Sequence, residues 1–376
     1  MAGLSAALAG RRILVCVGAG GVGKTSVAAA LALARALDGG KVLVCTIGPA
    51  RRLATALGLG ALGNVETRVP DQAFAAAGLQ PRGQLFAMML DVKRTWDDLV
   101  TRHAPTEERR DRILRNRLYQ QMSAALAGSQ EYMATEKLYE LATDRDYDLI
   151  VLDTPPTANA LDFLDAPDRI LDFLGDDQAP LLLSPARGAR LGFRLAQLGG
   201  SFLVKTLARF TGAQMLHDLG DFLSSFQGMY EGFKARAAAV HELLAQPTTG
   251  FVLVTSPGAR AVAEAGALHA RLLAEGMPVA GAVANRVTSP LWPTGQPCPT
   301  AAELAASLEA GDGALAAGLA LALEEHQRMA AADAVAVAEL LAATPGANAV
   351  VPRLEEDIYD LRGLAALAER LRDERG

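Results

Sequence analysis

A glycine-rich segment between a buried strand and a helix constrains this chain more than any other part of its sequence. Residues 12–17 are predicted as a strand, apolar from Ile13 to Val17, and a helical pattern extends from Lys24 to about Leu37. Between them, Gly18-Ala-Gly-Gly-Val-Gly-Lys24-Thr25 fits the pattern G-x-x-x-x-G-K-[ST] in the strand–loop–helix context that it requires. Glycines let successive backbone N–H groups turn inward as an anion-binding nest, and the helix N-terminus adds partial positive charge. The segment therefore predicts a phosphate-binding loop rather than a glycine-rich turn with an incidental lysine.

The loop also predicts how a nucleoside triphosphate and Mg²⁺ are held. Lys24 is expected to reach the β- and γ-phosphates, and the Thr25 hydroxyl to coordinate Mg²⁺. Asp153 ends the predicted strand 147–153, at the sheet edge where open α/β sheets bind ligands, and is predicted as a second magnesium ligand. We assign catalytic roles to Lys24 and Asp153. The predicted ATP-binding residues of the loop are Gly20, Gly21, Val22, Gly23, Lys24, Thr25 and Ser26.

Strand-like and helical segments alternate along most of the 376 residues. Further buried strands are predicted at 41–47, 249–255, 279–285 and 349–351. The alternation predicts an α/β fold with a mostly parallel, doubly wound sheet of the P-loop NTPase type and a helical insertion. Residues 60–85 are expected to form loops, and residues 85–145 to be helical. Thr300 and Glu303 have capping-box spacing, so a helix is expected to begin there.

No strand stands out between residues 165 and 246, and this divides the chain into three parts. We predict an ATPase core in two pieces, 1–164 and 247–376, interrupted by the helical insertion 165–246. Within the insertion, a helical stripe of large apolar residues is predicted as a surface for a hydrophobic client or partner. Packed core is the commoner explanation of such a stripe. The residues of this predicted surface are Phe222, Phe226, Met229 and Phe233.

Charge and cysteine content exclude several classes of protein. A net charge of −6 argues against a general nucleic-acid binder. Cys16, Cys45 and Cys298 are far apart and form no CxxC pair, so neither a zinc site nor a disulfide framework is expected. No signal peptide and no long uncharged apolar run is seen, which predicts a cytoplasmic protein, with peripheral membrane contact left open.

Four segments together resemble the ArsA/Get family of ATPases, within the dimeric P-loop ATPases that include MinD and ParA. The phosphate loop is similar to that family's GKGGVGKT. Thr46-Ile-Gly-Pro-Ala resembles its first switch, S/T-x-D-P-A, and Asp153-Thr-Pro-Pro-Thr-Ala-Asn-Ala-Leu161 resembles its second switch, D-T-A-P-T-G-H-T-L. Pro352, with Tyr359-Asp-Leu-Arg-Gly-Leu364, looks like its adenine loop and the E-I/V-R-G-L motif that follows.

The resemblance implies a function that the phosphate loop alone does not. It implies that Asn285 and Pro352 contact the adenine, and that ATP lies between two subunits, closing the dimer when bound and opening it when hydrolysed. The insertion would then bind a hydrophobic client or partner protein. Members of the family either power arsenite efflux or deliver tail-anchored membrane proteins.

Three departures from the family pattern leave alternatives open. Ala19 stands where the family has a lysine that reaches across the dimer. The chain is therefore expected to form either a homodimer or a heterodimer with a homologous subunit that carries this lysine. Gly48 replaces the aspartate that positions the attacking water, so slow hydrolysis is expected and a weakly hydrolytic regulatory subunit is the main alternative. The zinc-binding CxxC is absent. An arsenite efflux motor ranks below both, because arsenite needs thiolate ligands and the two strand cysteines, Cys16 and Cys45, are expected to point into the core.

Overall fold

A computed structural model describes residues 4, 8–48, 51–117, 119–120, 129–154, 230–307 and 312–372 of the protein. Its strands are β1 (Ile13–Val17), β2 (Lys41–Thr46), β3 (Thr67–Arg68), β4 (Gln84–Met89), β5 (Leu149–Asp153), β6 (Thr249–Thr255), β7 (Val279–Val287) and β8 (Asn348–Pro352). They form one sheet in the order β3-β4-β2-β5-β1-β6-β7-β8. All neighbours pair in parallel except β3 and β4, which are antiparallel. The predicted α/β class and mostly parallel sheet are confirmed.

Helices cover both faces of the sheet. They are α1 (Lys24–Leu37), α2 (Arg51–Ala56), α3 (Asp71–Ala76), α4 (Val92–His103), α5 (Glu107–Arg115), α6 (Ser129–Asp144), α7 (Tyr230–Ala245), α8 (Ala259–Ala274), α9 (Ala301–Ser307), α10 (Gly313–Ala343) and α11 (Leu361–Arg372). Helices α1 and α11 pack on one face, and α4, α6, α7 and α8 on the other. Within the described ranges, no helix is long and apolar enough to cross a bilayer.

The central strands form because their apolar runs can be buried on both faces. All residues of β1 and β5 are buried, as parallel strands covered by helices on both sides require. Alternation along each strand then divides the core in two: Cys16 lies in the cluster beneath α1, whereas Cys45 lies in the cluster beneath α6. The predicted strands at 41–47, 249–255, 279–285 and 349–351 are confirmed to within two residues at either end.

The region between residues 60 and 90 was predicted wrongly. The expected loop contains helix α3, and residues predicted to be helical or loop form strand β4, which pairs along its full length with β2. The run Gln-Leu-Phe-Ala-Met-Met contains no β-branched residue, so local propensity does not favour a strand there. Hydrogen bonds to β2 and burial against both core clusters determine its structure instead.

The predicted capping box at the start of α9 is confirmed. The Glu303 carboxylate accepts hydrogen bonds from the Thr300 backbone N–H at 2.7 Å and from its hydroxyl at 2.8 Å. In return, the Glu303 N–H donates to the Thr300 hydroxyl oxygen at 3.3 Å. These reciprocal bonds satisfy N–H groups that the first helical turn leaves without partners.

Helix α7, with which the chain leaves the predicted insertion, packs on the core of the sheet. Phe233 is 2% exposed and lies against the rings of Trp96 and Tyr132, so its assignment to an exposed client surface is wrong. Its large apolar ring is stabilised by burial here. The other three residues of that predicted surface lie outside the described residues.

A buried ion pair joins α7 to α6. The Arg236 guanidinium donates to the Glu136 carboxylate at 2.6 Å, and the Tyr132 hydroxyl donates to the same carboxylate at 2.9 Å. Glu136 is 2% exposed. A carboxylate removed from water in this way depends on both donors.

We predict that Arg236→Leu lowers the free energy of unfolding by roughly 2–3 kcal/mol, because it leaves the Glu136 carboxylate buried with the Tyr132 donor but no positive charge. The measurement is the urea midpoint. Arg260→Leu, which removes the exposed ion pair of Arg260 with Glu264, is the matched control and should not shift the midpoint measurably. Equal midpoints for the two variants would contradict a structural role for the buried pair.

Candidate nucleotide site

The glycine-rich loop adopts a backbone that only glycine tolerates at its key positions. Gly18 has φ 150°, and a Cβ there would lie 2.0 Å from the Val254 carbonyl oxygen of the neighbouring strand β6. Gly21 and Gly23 have φ of 79° and 99°, in the left-handed region. These conformations carry the chain from β1 into α1, and positive φ angles of this kind are what an anion-binding nest requires.

Lys24 is folded back onto the loop that it is expected to serve. Its ammonium group donates to the carbonyl oxygens of Gly18 at 2.9 Å and Ala19 at 3.0 Å, and the residue is 6% exposed. Burial lowers the pKa of this ammonium group, and the negative charge of Asp153 opposes the change. The group is therefore a partly desolvated cation at the loop, suited to exchange carbonyl partners for phosphate oxygens.

Asp153 ends β5 beside the loop and collects two hydroxyl groups. Its Oδ2 accepts hydrogen bonds from the hydroxyls of Thr25 at 2.6 Å and Thr46 at 2.8 Å. The parallel strands β1, β5 and β2 are neighbours, so their carboxyl ends bring these three side chains together. Next along the chain, Thr154 donates its hydroxyl to the Cys16 carbonyl at 2.8 Å and so ties this strand end to β1.

The second oxygen of Asp153 is without a partner. Oδ1 is buried and makes no hydrogen bond with any described residue. Burial raises the pKa of this carboxyl, whereas the hydrogen bonds from Thr25 and Thr46 and the charge of Lys24 lower it. A buried, incompletely satisfied carboxylate costs free energy unless a cation reaches it.

These residues fit a magnesium ion that is shared with a bound phosphate. Mg²⁺ takes oxygen ligands, keeps several waters and is commonly held by one or two carboxylates together with substrate phosphates. The unpartnered Asp153 Oδ1 and the Thr25 hydroxyl are the oxygens that would hold it. Among the described residues, no group of three or more His, Cys, Asp or Glu side chains could bind a metal by itself, so phosphate oxygens would complete the coordination.

The far side of the site contains the residues predicted to contact the base. Asn285 lies near the end of β7 and Pro352 ends β8, the neighbouring strand. The Asn285 side-chain amide donates to the Val22 carbonyl at 2.8 Å, so in this structure it contacts the phosphate loop. Contact of Asn285 and Pro352 with adenine remains a prediction.

Sequence reasoning missed two residues that the structure brings to this site. Thr46 appeared only as part of the first-switch resemblance, although a threonine ending a strand next to β5 could have been expected to reach Asp153. No feature of the sequence placed Arg286 at the site. It follows Asn285, and side-chain alternation along a strand would direct it to the opposite face. Its guanidinium nonetheless donates to the Gly21 carbonyl at 3.0 Å.

Comparison with known proteins agrees with this geometry. A family model described as anion-transporting ATPase (ArsA) matches residues 11–301, which include the phosphate loop, Thr46, Asp153 and Asn285. This chain belongs to the anion-transporting ATPase family. The resemblance that the sequence motifs indicated is therefore confirmed.

Three relatives named as ATPases share between 26% and 29% of aligned residues with this chain. ATPase GET3B of Arabidopsis thaliana is 26% identical over 298 residues, 74% of this chain and 65% of that protein. ATPase GET3 of Malassezia globosa is 28% identical over 41% of this chain and 42% of that protein, and ATPase GET3 of Rhodotorula glutinis is 29% identical over 48% and 46%. The matches thus span less than two thirds of each relative.

We predict opposite effects of Asp153→Asn on stability and on metal dependence. The nucleotide-free protein should melt at a higher temperature, because the variant removes the buried charge and retains an oxygen that accepts the threonine hydroxyls. Magnesium-dependent nucleotide affinity should fall by roughly 10–100-fold. Calorimetry with and without Mg²⁺ measures the second effect, and Asp148→Asn, at the start of the same strand, is the control. An unchanged magnesium dependence would exclude Asp153 as a metal ligand.

Proposed function

We propose that this chain is an ATP-binding ATPase whose nucleotide cycle controls closure of a dimer and binding of a hydrophobic client or partner protein. The observation that carries the proposal is the shared hydrogen bonding of Asp153 with Thr25 and Thr46 beside the glycine-rich loop. It joins the phosphate loop, the predicted metal ligands and the predicted first switch in one network. Membership of the anion-transporting ATPase family supports the same activity.

Some residues of the site would bind the nucleotide and Mg²⁺, and Thr46 would connect the metal ligand to the predicted first switch. Inward-turned loop amides and the Lys24 ammonium would neutralise the phosphates, and Thr25 and Asp153 would hold Mg²⁺, which supplies charge stabilisation at the transferred phosphoryl group. Thr46 links Asp153 to Gly48, because its hydroxyl donates to the Asp153 carboxylate and also accepts the Gly48 N–H at 3.4 Å. A change at the metal ligand is thereby passed to the predicted first switch.

Hydrolysis by this chain alone should be slow. No acid stands at position 48, and glycine cannot orient or deprotonate water. A Cβ built at Gly48 meets no atom of the described residues within 4 Å, so these residues leave room for a side chain there. An aspartate side chain would thus fit at position 48, and the acid is missing only because the residue is glycine.

A weakly hydrolytic regulatory subunit is the second candidate, and two positions favour it. Gly48 lacks the acid, and Ala19 lacks the lysine that the family pattern places in the phosphate loop. A homologous subunit that carries this lysine could supply it across a heterodimer. The ATPase and the regulatory subunit differ in whether the chain alone hydrolyses ATP.

An arsenite efflux motor is disfavoured by the cysteines. Cys16 and Cys45 lie in core clusters on opposite faces of the sheet, and both are buried. Burial raises the pKa of both thiols, to about 12 for Cys45, and keeps them protonated. Two thiols that face opposite ways cannot ligate one ion.

Client and partner binding is assigned to the insertion by analogy with the family. The residues that remain from the predicted surface are Phe222, Phe226 and Met229. Their chemistry suits a hydrophobic helix, since methionine and aromatic side chains recur in grooves that bind helices. A cytoplasmic location with peripheral membrane contact fits a client of this kind.

We predict that Lys24→Ala weakens MgATP binding by roughly 10–100-fold, the loss expected for charge-assisted hydrogen bonds. Titration calorimetry of the full chain measures it. Lys234→Ala removes the same charge from an exposed position of α7 and should leave binding unchanged. Failure of the unmodified chain to bind either MgATP or MgADP would refute the proposed function.

We predict slow ATP turnover by the unmodified chain and an increase of at least about tenfold in Gly48→Asp, a fraction of what a positioned base contributes. Gly48→Asn has the same shape without the acid and should show no gain. Steady-state phosphate release measures both, with and without a lysine-bearing homologous subunit. Brisk turnover by the unmodified chain alone would rule out the regulatory-subunit alternative. Absence of gain in Gly48→Asp with that subunit present would contradict the switch assignment.

A further inference from the structure

Two consecutive residues of β7 contact the outer side of the phosphate loop. The Asn285 amide donates to the Val22 carbonyl at 2.8 Å, and the Arg286 guanidinium donates to the Gly21 carbonyl at 3.0 Å. Successive side chains of a regular strand point to opposite faces, so only one of the two could reach this loop. The backbone must therefore depart from strand geometry at this point.

That departure is centred on Arg286. Its φ is 66°, and no other non-glycine residue in the described part of the chain has a positive φ. The pairing of β7 with β8 also shifts register between Asn285 and Val287, which leaves Arg286 outside the ladder. A left-handed conformation is unfavourable for a residue with a Cβ, and bulges of this kind redirect a side chain. Here the bulge turns Arg286 toward the same loop as Asn285.

The loop needs such contacts because of its own geometry. A nest that turns N–H groups inward turns the carbonyl groups outward, where they require donors. Lys24 satisfies the carbonyls of Gly18 and Ala19 but is expected to move to the phosphates when nucleotide binds. Asn285 and Arg286 approach from outside the nest and can keep their carbonyls when Lys24 leaves.

We propose that Arg286, together with Asn285, is a positioning residue that braces the phosphate loop from outside and holds its amides ready for an anionic ligand. The proposal rests on the nucleotide site proposed above and names a residue that the motif does not contain. Because the brace acts on the phosphate end, it should contribute equally to binding of MgATP and of inorganic tripolyphosphate.

Arg286→Asn is the most direct test, because asparagine tolerates the left-handed conformation and its side chain is too short to span the same gap. Affinity for MgATP and for tripolyphosphate should both fall, by about 3–10-fold, as expected for one lost charged hydrogen bond. Arg286→Gly, which also relieves the backbone strain, should show the same loss. Arg370→Asn removes an exposed arginine in the last turn of α11 and should leave both affinities unchanged.

Hydrogen exchange of the nucleotide-free protein separates a brace from direct contact with the ligand. Peptides that cover residues 18–25 should exchange faster in both Arg286 variants than in the unmodified chain or in Arg370→Asn. Unchanged exchange would overturn the proposal, even with reduced affinity, since Arg286 would then act on the phosphates directly. Loss of affinity for MgATP alone would also overturn it, because it would indicate contact with the base. Should the unmodified chain bind neither ligand, the proposed function fails, and the exchange comparison still decides the brace.

Discussion

The site depends on one buried carboxylate placed where three parallel strands end. Asp153 accepts the hydroxyls of Thr25 and Thr46 through one oxygen and leaves the other without a partner among the described residues. A folded chain maintains such an arrangement only because the surrounding sheet is rigid and covered on both faces. The free energy cost of this buried carboxylate favours binding of a cation at the site. The same carboxylate makes the phosphate loop and the first-switch residues parts of a single hydrogen-bonded unit.

Backbone carbonyls impose a second requirement on the loop. Four of its carbonyl groups accept hydrogen bonds from three side chains, two from Lys24 within the loop and one each from Asn285 and Arg286 of β7. An anion-binding loop is usually described through its inward N–H groups, yet its shape depends equally on what holds the opposite side of each peptide. In this chain, that support comes from a strand more than 250 residues away along the sequence.

Much of this could be predicted from the sequence, because the informative signals are local. The loop pattern, the continuous apolar strands and helix α1 follow from periodicity and glycine positions. Strand β4 could not be predicted in this way, since it has no β-branched residue and its structure depends on pairing with β2 and burial in the core. Phe233 has the helical periodicity of an exposed stripe, but the burial of one residue depends on which helix packs against it. Arg286 is the clearest case, because a one-residue bulge reverses the face that strand alternation assigns.

The two attachments that flank residues 155–229 have a consequence for how this family can diversify. On one side, Thr154 is tied to β1 through the Cys16 carbonyl, and on the other, Arg236 and Phe233 hold α7 against the core. A chain segment anchored at both ends adds only a slowly growing closure entropy as it lengthens. Insertions between these two anchors can therefore lengthen the chain at little entropic cost to the sheet and phosphate loop that the anchors adjoin.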